Sequence, residues 1–430
     1  MNTSALHSAV HNLEELLFFT LLQLVIIIAV ARVAGNFARK IGQPRAVGEI
    51  IAGLVLGPSL LGSLAPETFQ FVFHSMDTTP LTVMSQVGLI LLMFQVGMDF
   101  DFSHLTEQRN RVAVVAVSAA GVIVPFALGL LFAMLTAQVL APEVNPLIYS
   151  LFVATAFSIT AVPILGRIMN EFGLNRTQLG AITISSAAIN DVVGWTLLAA
   201  ISAAVAANFS LLGVVWQVGE LGLYLLVCWL VVRLIKRHII SRYDLGKGLP
   251  RDLMAILLVM IFVSAMVTGQ IGVFAIFGGF VMGVLFHTDH ALVTAWKDKV
   301  ADLVTVFFLP IFFTYSGLRT DITGLDSWEL WMWCCFAIFL ATVGKFGGCY
   351  LGARFAGLGV YESRSIAIMM NTRALMGLIV LNVGRDLEVI SPDVFTMMVL
   401  MAIFTTVVTA PCLRLWLPRT GHRIPVGRDA

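Results

Sequence analysis

Long apolar runs, each bounded by charged residues or by glycine and proline, recur along the whole chain of 430 residues. A run of about 20 apolar residues can cross a bilayer as a helix, because a helix satisfies its backbone hydrogen bonds internally. Hydrophobic residues make up 59% of the chain and charged residues 12%, which leaves too little polar surface to cover a water-soluble globule. The sequence therefore predicts an all-α membrane protein. A transmembrane barrel would need alternating polar and apolar residues, which these runs lack.

The boundaries of the runs predict 13 transmembrane helices. The first six spans are residues 15–34, 46–61, 80–98, 111–139, 147–169 and 177–207. The other seven are residues 211–237, 252–268, 271–287, 300–318, 329–354, 364–384 and 394–416. We expect the first run to be retained as a helix, because the basic region of a signal peptide does not precede it.

Basic residues are distributed unequally between the two sides of the predicted membrane. With the N-terminus outside, 22 of the 26 lysines and arginines lie in cytoplasmic loops or in the C-terminal tail, whereas the outer loops hold only Arg319 and Arg385. Lysine and arginine stay preferentially on the cytoplasmic side. This bias predicts an outer N-terminus and a cytoplasmic C-terminus. The remaining two basic residues, Lys345 and Arg373, fall within spans.

The two halves of the chain resemble each other. EIIAGLVLG in the second span matches AIFGGFVMG in the ninth, which aligns Gly53 with Gly279 and Gly57 with Gly283. FQVGMDFD after the third span parallels TYSGLRTD after the tenth. Spans one to six then recur as spans eight to thirteen. Corresponding spans are seven positions apart in the chain, an odd number, so they have opposite orientations in the membrane. Inverted repeats are typical of transporters; the alternative is a chance similarity between glycine-rich apolar runs.

Asp191, in SAAINDVVGW, lies near the middle of the sixth span. A charge at this depth is costly, so the carboxyl group must be protonated, pair with a cation or face a water-filled cavity. A carboxylate that accepts a proton and a metal ion in turn can exchange one for the other. Asn190 cannot titrate, but its amide oxygen is a candidate cation ligand. The alternative for both side chains is a role in helix packing.

Two basic residues, Lys345 and Arg373, lie within other spans. Lys345 is about 13 Å of helix rise from Arg354 at the inner face, which is too far for its stem to reach the interface easily. We predict that Lys345 is the charge partner of Asp191, because a lysine can change protonation when an ion takes its partner. Arg373 keeps its charge, which suits a fixed role such as facing the carbonyl ends of broken helices. Static helix contacts are the alternative for both residues.

Spans five and twelve carry polar residues that predict interrupted helices. In VATAFSITAVPIL, hydroxyl oxygens and a missing backbone donor come from Thr155, Ser158, Thr160 and Pro163. In span twelve, Asn371, Thr372 and Gly377 surround Arg373 in the sequence. We expect the two interruptions to meet, since unwound carbonyls and half-helix ends coordinate small ions in transporters. For any single Ser or Thr, a bond to the preceding helical turn is the alternative.

Several of these segments resemble the monovalent cation:proton antiporter superfamily. The resemblance extends over nearly the whole chain and is closest to the bacterial sodium or potassium/proton antiporters, the branch that includes plant cation/proton exchangers and glutathione-gated potassium efflux transporters. The segments that carry it are GEIIAGLVLGPSLLG, AFSITAVPILGRIM, AAINDVVGW, FFTYSGLRTDI, the GK of Lys345 and NTRALMGLIVLNVG.

The resemblance implies the sodium/proton antiporter fold, with two inverted six-helix repeats and crossed discontinuous helices in spans five and twelve. It further implies a homodimer and a core domain that moves like an elevator. The implied domains are a dimerisation domain (1–110 and 251–325), a core (111–210 and 326–417), a linker helix and loop (211–250) and a short cytoplasmic tail (418–430). The core would bind the cation and the proton through Asp191, with Asn190, Thr155, Ser158 and Thr160 near it and Lys345 as its ionic partner.

The expected activity is secondary active exchange of Na⁺ or K⁺ for H⁺ in a bacterial inner membrane, not enzymatic catalysis. We expect lipids as neighbours and no cofactor, nucleic-acid partner or soluble regulatory domain in this chain. Many relatives have two successive aspartates where this chain has Asn190 and Asp191, so the ratio of cations to protons stays open. The alternatives are a sodium-coupled symporter of an organic anion on the same fold, and an uncoupled channel or sensor.

Overall fold

A computed structural model describes residues 3–73, 75, 78–98, 108–174, 177–206, 211–238, 240–243, 245 and 248–422. Throughout these residues the regular structure is helical, without a strand. The helical structure agrees with the apolar composition, because a helix within a bilayer satisfies most of its backbone hydrogen bonds internally.

The first half of the chain forms eight α-helices within the described residues. They are α1 (Thr3–Lys40), α2 (Arg45–Leu56), α3 (Pro66–Phe73), α4 (Thr79–Met98), α5 (Gln108–Leu140), α6 (Pro146–Ser158), α7 (Val162–Glu171) and α8 (Gln178–Ala206). A π-helical turn, Pro58–Gly62, follows α2.

The second half forms nine α-helices in the part that the structure describes. They are α9 (Leu211–His238), α10 (Arg251–Gln270), α11 (Ala275–Phe286), α12 (His290–Trp296), α13 (Leu309–Leu318), α14 (Trp328–Phe355), α15 (Val360–Met370), α16 (Ala374–Asp386) and α17 (Pro392–Trp416). Two π-helical turns, Lys297–Ala301 and Val304–Phe308, lie between α12 and α13.

Several helices begin where local sequence favours an N-terminus. Asn145 precedes α6 and accepts a hydrogen bond from the Leu147 backbone N–H at 3.0 Å, with Pro146 as the first helical residue. Ser391 caps α17 in the same way, by accepting from the Val394 backbone N–H, and is also followed by proline. Proline fits the first helical position because its missing donor would lack an intrahelical partner there.

Eight apolar segments in the described ranges are long enough to cross a membrane, and a ninth is obtained if residues 290–301 and 304–318, bent by 45°, form one span. The chain is therefore a multi-pass helical protein. The predicted spans 46–61, 147–169 and 271–287 fall on shorter helices, namely α2, the pair α6 and α7, and α11. The count of thirteen crossings stays a prediction.

Glycines allow close approach between helices of the two halves. The backbone of α2 at Gly53 abuts the Phe313 carbonyl of α13, and α11 at Gly279 abuts the Ile90 carbonyl of α4. At both positions an added Cβ would overlap the facing carbonyl oxygen. α14 approaches α5 in the same manner, with Gly348 against the Ala120 carbonyl.

Gly53→Ala is expected to destabilise the protein by about 1–3 kcal/mol, because the new methyl overpacks the contact between α2 and α13. Gly347→Ala on α14 is the control, since no neighbouring group lies within 4 Å of a Cβ added there. Thermal unfolding of both variants in detergent measures the difference. Equal melting temperatures for the two variants would contradict this packing argument.

Candidate functional site

The two predicted helix interruptions meet in the structure. α6 ends at Ser158 and α7 begins at Val162, while α15 ends at Met370 and α16 begins at Ala374. The backbone N–H of Ala161 donates to the Thr372 carbonyl at 2.8 Å, and the Thr160 hydroxyl donates to the Met370 carbonyl at 3.4 Å. Each interruption thereby satisfies backbone groups that the other leaves without helical partners.

Other polar side chains at the interruptions bond within their own helix. Thr155 donates to the Leu151 carbonyl at 2.8 Å, Ser158 to the Thr155 carbonyl and Thr372 to the Met369 carbonyl. The alternative interpretation of these residues, a bond to the preceding turn, is thus part of the structure. It does not remove them as ligands, because a hydroxyl that donates its hydrogen keeps lone pairs.

Two predicted residues of this region have a different environment. Pro163 lies in the first turn of α7 rather than in the interruption itself. Asn371 follows the last residue of α15, and both polar atoms of its buried carboxamide lack a hydrogen-bond partner among the described residues.

Arg373 is fully buried at the start of α16. Its Nη2 donates to the Ala341 carbonyl of α14 at 2.7 Å, and Nη1 lies 3.5 Å from the Ala156 carbonyl in the last turn of α6. The guanidinium thus lies at the carbonyl end of α6, and its role there stays a prediction. The partial negative charge at a helix C-terminus favours a cation in this position.

Thr406 on α17 caps the second interruption from outside. Its hydroxyl oxygen accepts hydrogen bonds from the backbone N–H groups of Arg373 (3.2 Å) and Ala374 (3.1 Å), at the start of α16. Sequence reasoning missed this residue, because a threonine in an apolar span usually bonds its own preceding turn. Thr406 also makes that local bond, to the Ala402 carbonyl.

Lys345 is fully buried on α14 and reaches three oxygens. Its Nζ donates to the Gly121 carbonyl of α5 at 2.8 Å and to the Ser158 carbonyl at the end of α6. With the Asn190 carboxamide oriented to satisfy its neighbours, the amide oxygen is the third acceptor, 3.1 Å from Nζ. In that orientation the amide NH₂ donates to the carbonyls of Ser118 (3.1 Å) and Ser186 (3.3 Å).

Asp191 is 1% exposed, and neither carboxylate oxygen has a hydrogen-bond partner in the described part of the chain. Lys345 is close enough to interact with it electrostatically. The predicted direct pairing is nevertheless absent from this conformation, because the ammonium group bonds the two backbone carbonyls and Asn190 instead. The lysine is therefore a neighbour of the carboxylate without being bonded to it.

Gly121 is a second residue that sequence reasoning missed. A Cβ added there would lie 2.7 Å from the Cys349 Sγ of α14 and 3.1 Å from the Asn190 carboxamide. The missing side chain thus leaves room where α5, α8 and α14 converge. A glycine within an apolar span was the available signal, but sequence alone did not say which carbonyl the intramembrane lysine would reach.

The fold and these buried polar groups define a multi-pass membrane protein with two interrupted helices around a group of buried charges. A family model described as "Sodium/hydrogen exchanger, transmembrane" matches residues 25–417. The chain belongs to this family.

Two relatives and one solved structure place the chain further. It is 36% identical to the Na⁺/H⁺ antiporter NhaS4 of Synechocystis sp., over 94% of this chain and 99% of that protein. It is 34% identical to the cation/H⁺ antiporter 17 of Arabidopsis thaliana over 93% of this chain, which spans about half (48%) of that relative's length. The fold is similar to that of the sodium proton antiporter MjNhaP1 from Methanocaldococcus jannaschii, with a TM-score of 0.64, 16% identity and coverage of 95% of this chain and 99% of that chain.

Thr406→Val is expected to lower the stability by about 1–3 kcal/mol, because two buried backbone donors at the start of α16 lose their acceptor. Thr405→Val is the matched control, because the Thr405 hydroxyl donates within its own helix, to the Ala402 carbonyl. Thermal unfolding of the two purified variants measures the effect. If Thr405→Val lowered the melting temperature as much, the capping role of Thr406 would be wrong.

Proposed function

We propose that this chain is a secondary active antiporter that exchanges Na⁺ or K⁺ for protons. The observation that carries the proposal is the buried Asp191 carboxylate, which lacks a hydrogen-bond donor among the described residues. Membership of the sodium/hydrogen exchanger family supports the substrate class. A carboxylate in this environment is poorly solvated, so a proton or a small cation stabilises it strongly.

Exchange of the two ions follows if Asp191 binds either a proton or an alkali cation, but not both at once. A proton neutralises the carboxylate covalently, while an alkali cation neutralises it electrostatically and needs further oxygen ligands. We propose Thr155, Ser158 and Thr160 as sources of such oxygens, with Arg373 as a fixed charge that the carbonyls of α6 and α14 hold in place. Asn371, whose carboxamide has no described partner, is a further candidate at the second interruption.

We propose that residues 1–110 and 251–325 form a dimerisation domain and that residues 111–210 and 326–417 form the core. Helix packing supports this division. α2 packs on α1 and α13, and α11 on α4, all within the first set. α14 packs on α5, α15 and α17, all within the second set. Residues 211–250 then link the halves, and residues 418–430 form the tail.

Glycine contacts support an inverted repeat. Gly57 abuts Gly317, and Gly283 abuts Gly97. In the alignment of the two halves, Gly57 corresponds to Gly283 and Gly97 to Gly317. One contact joins spans two and ten, and the other joins spans nine and three. Exchanging the two halves converts one contact into the other, as expected for two related repeats.

The contacts between the two proposed domains include polar groups at both faces. On the proposed outer side, Arg319 bonds Asp386 at 2.7 Å and Asn382 at 3.2 Å, and Asn382 donates to Ser316 at 2.7 Å. On the proposed inner side, Arg414 donates to the Gly42 carbonyl at 2.7 Å. An elevator motion of the core has to break and re-form such contacts, and water can replace them as they open.

We further propose a homodimer in a bacterial inner membrane, with the N-terminus outside and the C-terminus cytoplasmic. α1 supports an external contact with lipid or a second subunit, because large apolar side chains such as Leu17, Phe18 and Val25 are exposed on it. Exposed apolar surface of this extent is typical of membrane or protein contact.

Asp191→Asn is expected to reduce alkali-cation-dependent proton flux to the level of protein-free liposomes, because an amide cannot bind and release the proton. The control is Asp252→Asn, an exposed carboxylate in the first turn of α10. Flux is measured in proteoliposomes with Na⁺, K⁺ and Li⁺ in turn, without an organic anion. Retained coupled flux in Asp191→Asn would refute the assigned role.

Ser316→Cys with Asn382→Cys tests the motion of the core, because the two side chains are in contact across the proposed domain boundary. Disulfide formation under a mild oxidant is expected to stop exchange, and a reductant is expected to restore it. The two single-cysteine variants, oxidised in parallel, control for the five native cysteines. Full exchange by the cross-linked protein would exclude a sliding core while leaving cation/proton exchange itself intact.

A further inference from the structure

Three helices supply the oxygens that surround the Lys345 ammonium group. The three oxygens are those of the Gly121 carbonyl on α5, the Ser158 carbonyl on α6 and the Asn190 amide on α8. A lysine ammonium carries three N–H donors, so these acceptors satisfy it completely. The partial negative charge at the C-terminal end of α6 adds to the attraction.

The orientation of Asn190 is fixed from its other end. Its NH₂ group donates to the Ser118 carbonyl of α5 and to the Ser186 carbonyl of its own helix. A reversed amide would turn its NH₂ toward the ammonium and its oxygen toward two carbonyls, which is repulsive at both ends. The Asn190 oxygen therefore faces Lys345.

We propose that Gly121 and Asn190 are positioning residues that hold the Lys345 ammonium away from the Asp191 carboxylate. This inference rests on the proposed function, because it concerns the availability of Asp191 to a transported cation. Asp191, Arg373 and Cys349 are the other ionisable groups that interact with Lys345. Of these, Asp191 is the carboxylate, and its negative charge attracts the ammonium group. A lysine that lost an acceptor would turn toward it and compete with the cation.

Gly121 contributes in two ways, through its carbonyl and through its missing side chain. A methyl group at this position would lie 2.7 Å from Cys349 Sγ and 3.1 Å from the Asn190 carboxamide, so one of these groups has to move. If Asn190 moves, the ammonium loses its third acceptor. Replacing Cys349 by alanine removes the nearer obstacle and leaves space for the methyl group.

Gly121→Ala is expected to raise the apparent KM for the cation by roughly ten- to a hundredfold, the range expected for one hydrogen bond to a charged group, with a nearly unchanged maximal rate. Adding Cys349→Ala is expected to restore the KM, and Cys349→Ala alone is expected to resemble the wild type. Gly348→Ala is the packing control, because it overpacks the same α5–α14 contact against the Ala120 carbonyl instead. An equal rise in KM for Gly348→Ala, or no rescue by Cys349→Ala, would overturn the role of Gly121.

Asn190→Ala gives a second test that needs no close packing. The readout is equilibrium binding of ²²Na⁺ or ⁸⁶Rb⁺ to the purified protein, which does not require turnover. If Asn190 acts through Lys345, Asn190→Ala weakens binding in the wild type and has no further effect in Lys345→Met. Equal weakening in both backgrounds would make Asn190 a direct cation ligand and would refute the positioning role. Absence of cation-dependent proton flux in the wild type would instead refute the proposed function.

Discussion

Burial of charge away from water is the constraint on which the arrangement of this protein depends. Asp191, Lys345 and Arg373 are each at most 1% exposed. An ion in such a place needs oxygen or nitrogen partners that replace its hydration, or it becomes neutral. The two cations obtain these partners from backbone carbonyls, at Gly121, Ser158, Ala156 and Ala341. The helix interruption after Ser158 thus leaves carbonyls free to bind the two cations. In a continuous helix, these carbonyls would accept hydrogen bonds from backbone N–H groups of the next turn.

The two interruptions are held by bonds to each other and by a bond from α17. Ala161 of the first interruption bonds Thr372 of the second, and Thr406 of α17 binds the backbone where α16 begins. Unsatisfied backbone groups at this depth would each cost several kcal/mol in the absence of water. Glycines at the α5–α14 contact let the two backbones approach closely, which brings the Gly121 carbonyl of α5 to the Lys345 ammonium of α14. Close packing and charge solvation are therefore parts of one arrangement.

The sequence predicted the helical class, the interrupted spans and the buried charged residues well, because all three follow from composition and from polar residues within apolar runs. It did not predict the hydrogen-bond partners. Lys345 was expected to pair with Asp191, since two opposite charges in one membrane attract each other. The structure gives the lysine two main-chain carbonyls and an amide oxygen instead. Main-chain carbonyls carry no sequence signature, so Gly121 and Ser158 could not be recognised as acceptors. Thr406 was missed for a similar reason, because its cap depends on how α17 packs against α16.

The amide at position 190 has a consequence that a carboxylate would not have. An aspartate there would attract Lys345 as an ion pair, but it would lack the NH₂ donors that the Ser118 and Ser186 carbonyls receive. It would also add a second group able to bind a proton next to Asp191, and two neighbouring carboxyl groups titrate as a coupled pair. With asparagine, the lysine is held by neutral oxygens and the adjacent charge is confined to Asp191. In the proposed exchange, that one carboxylate would bind the proton and the monovalent cation in turn, without a second carboxyl group beside it that could hold a proton of its own.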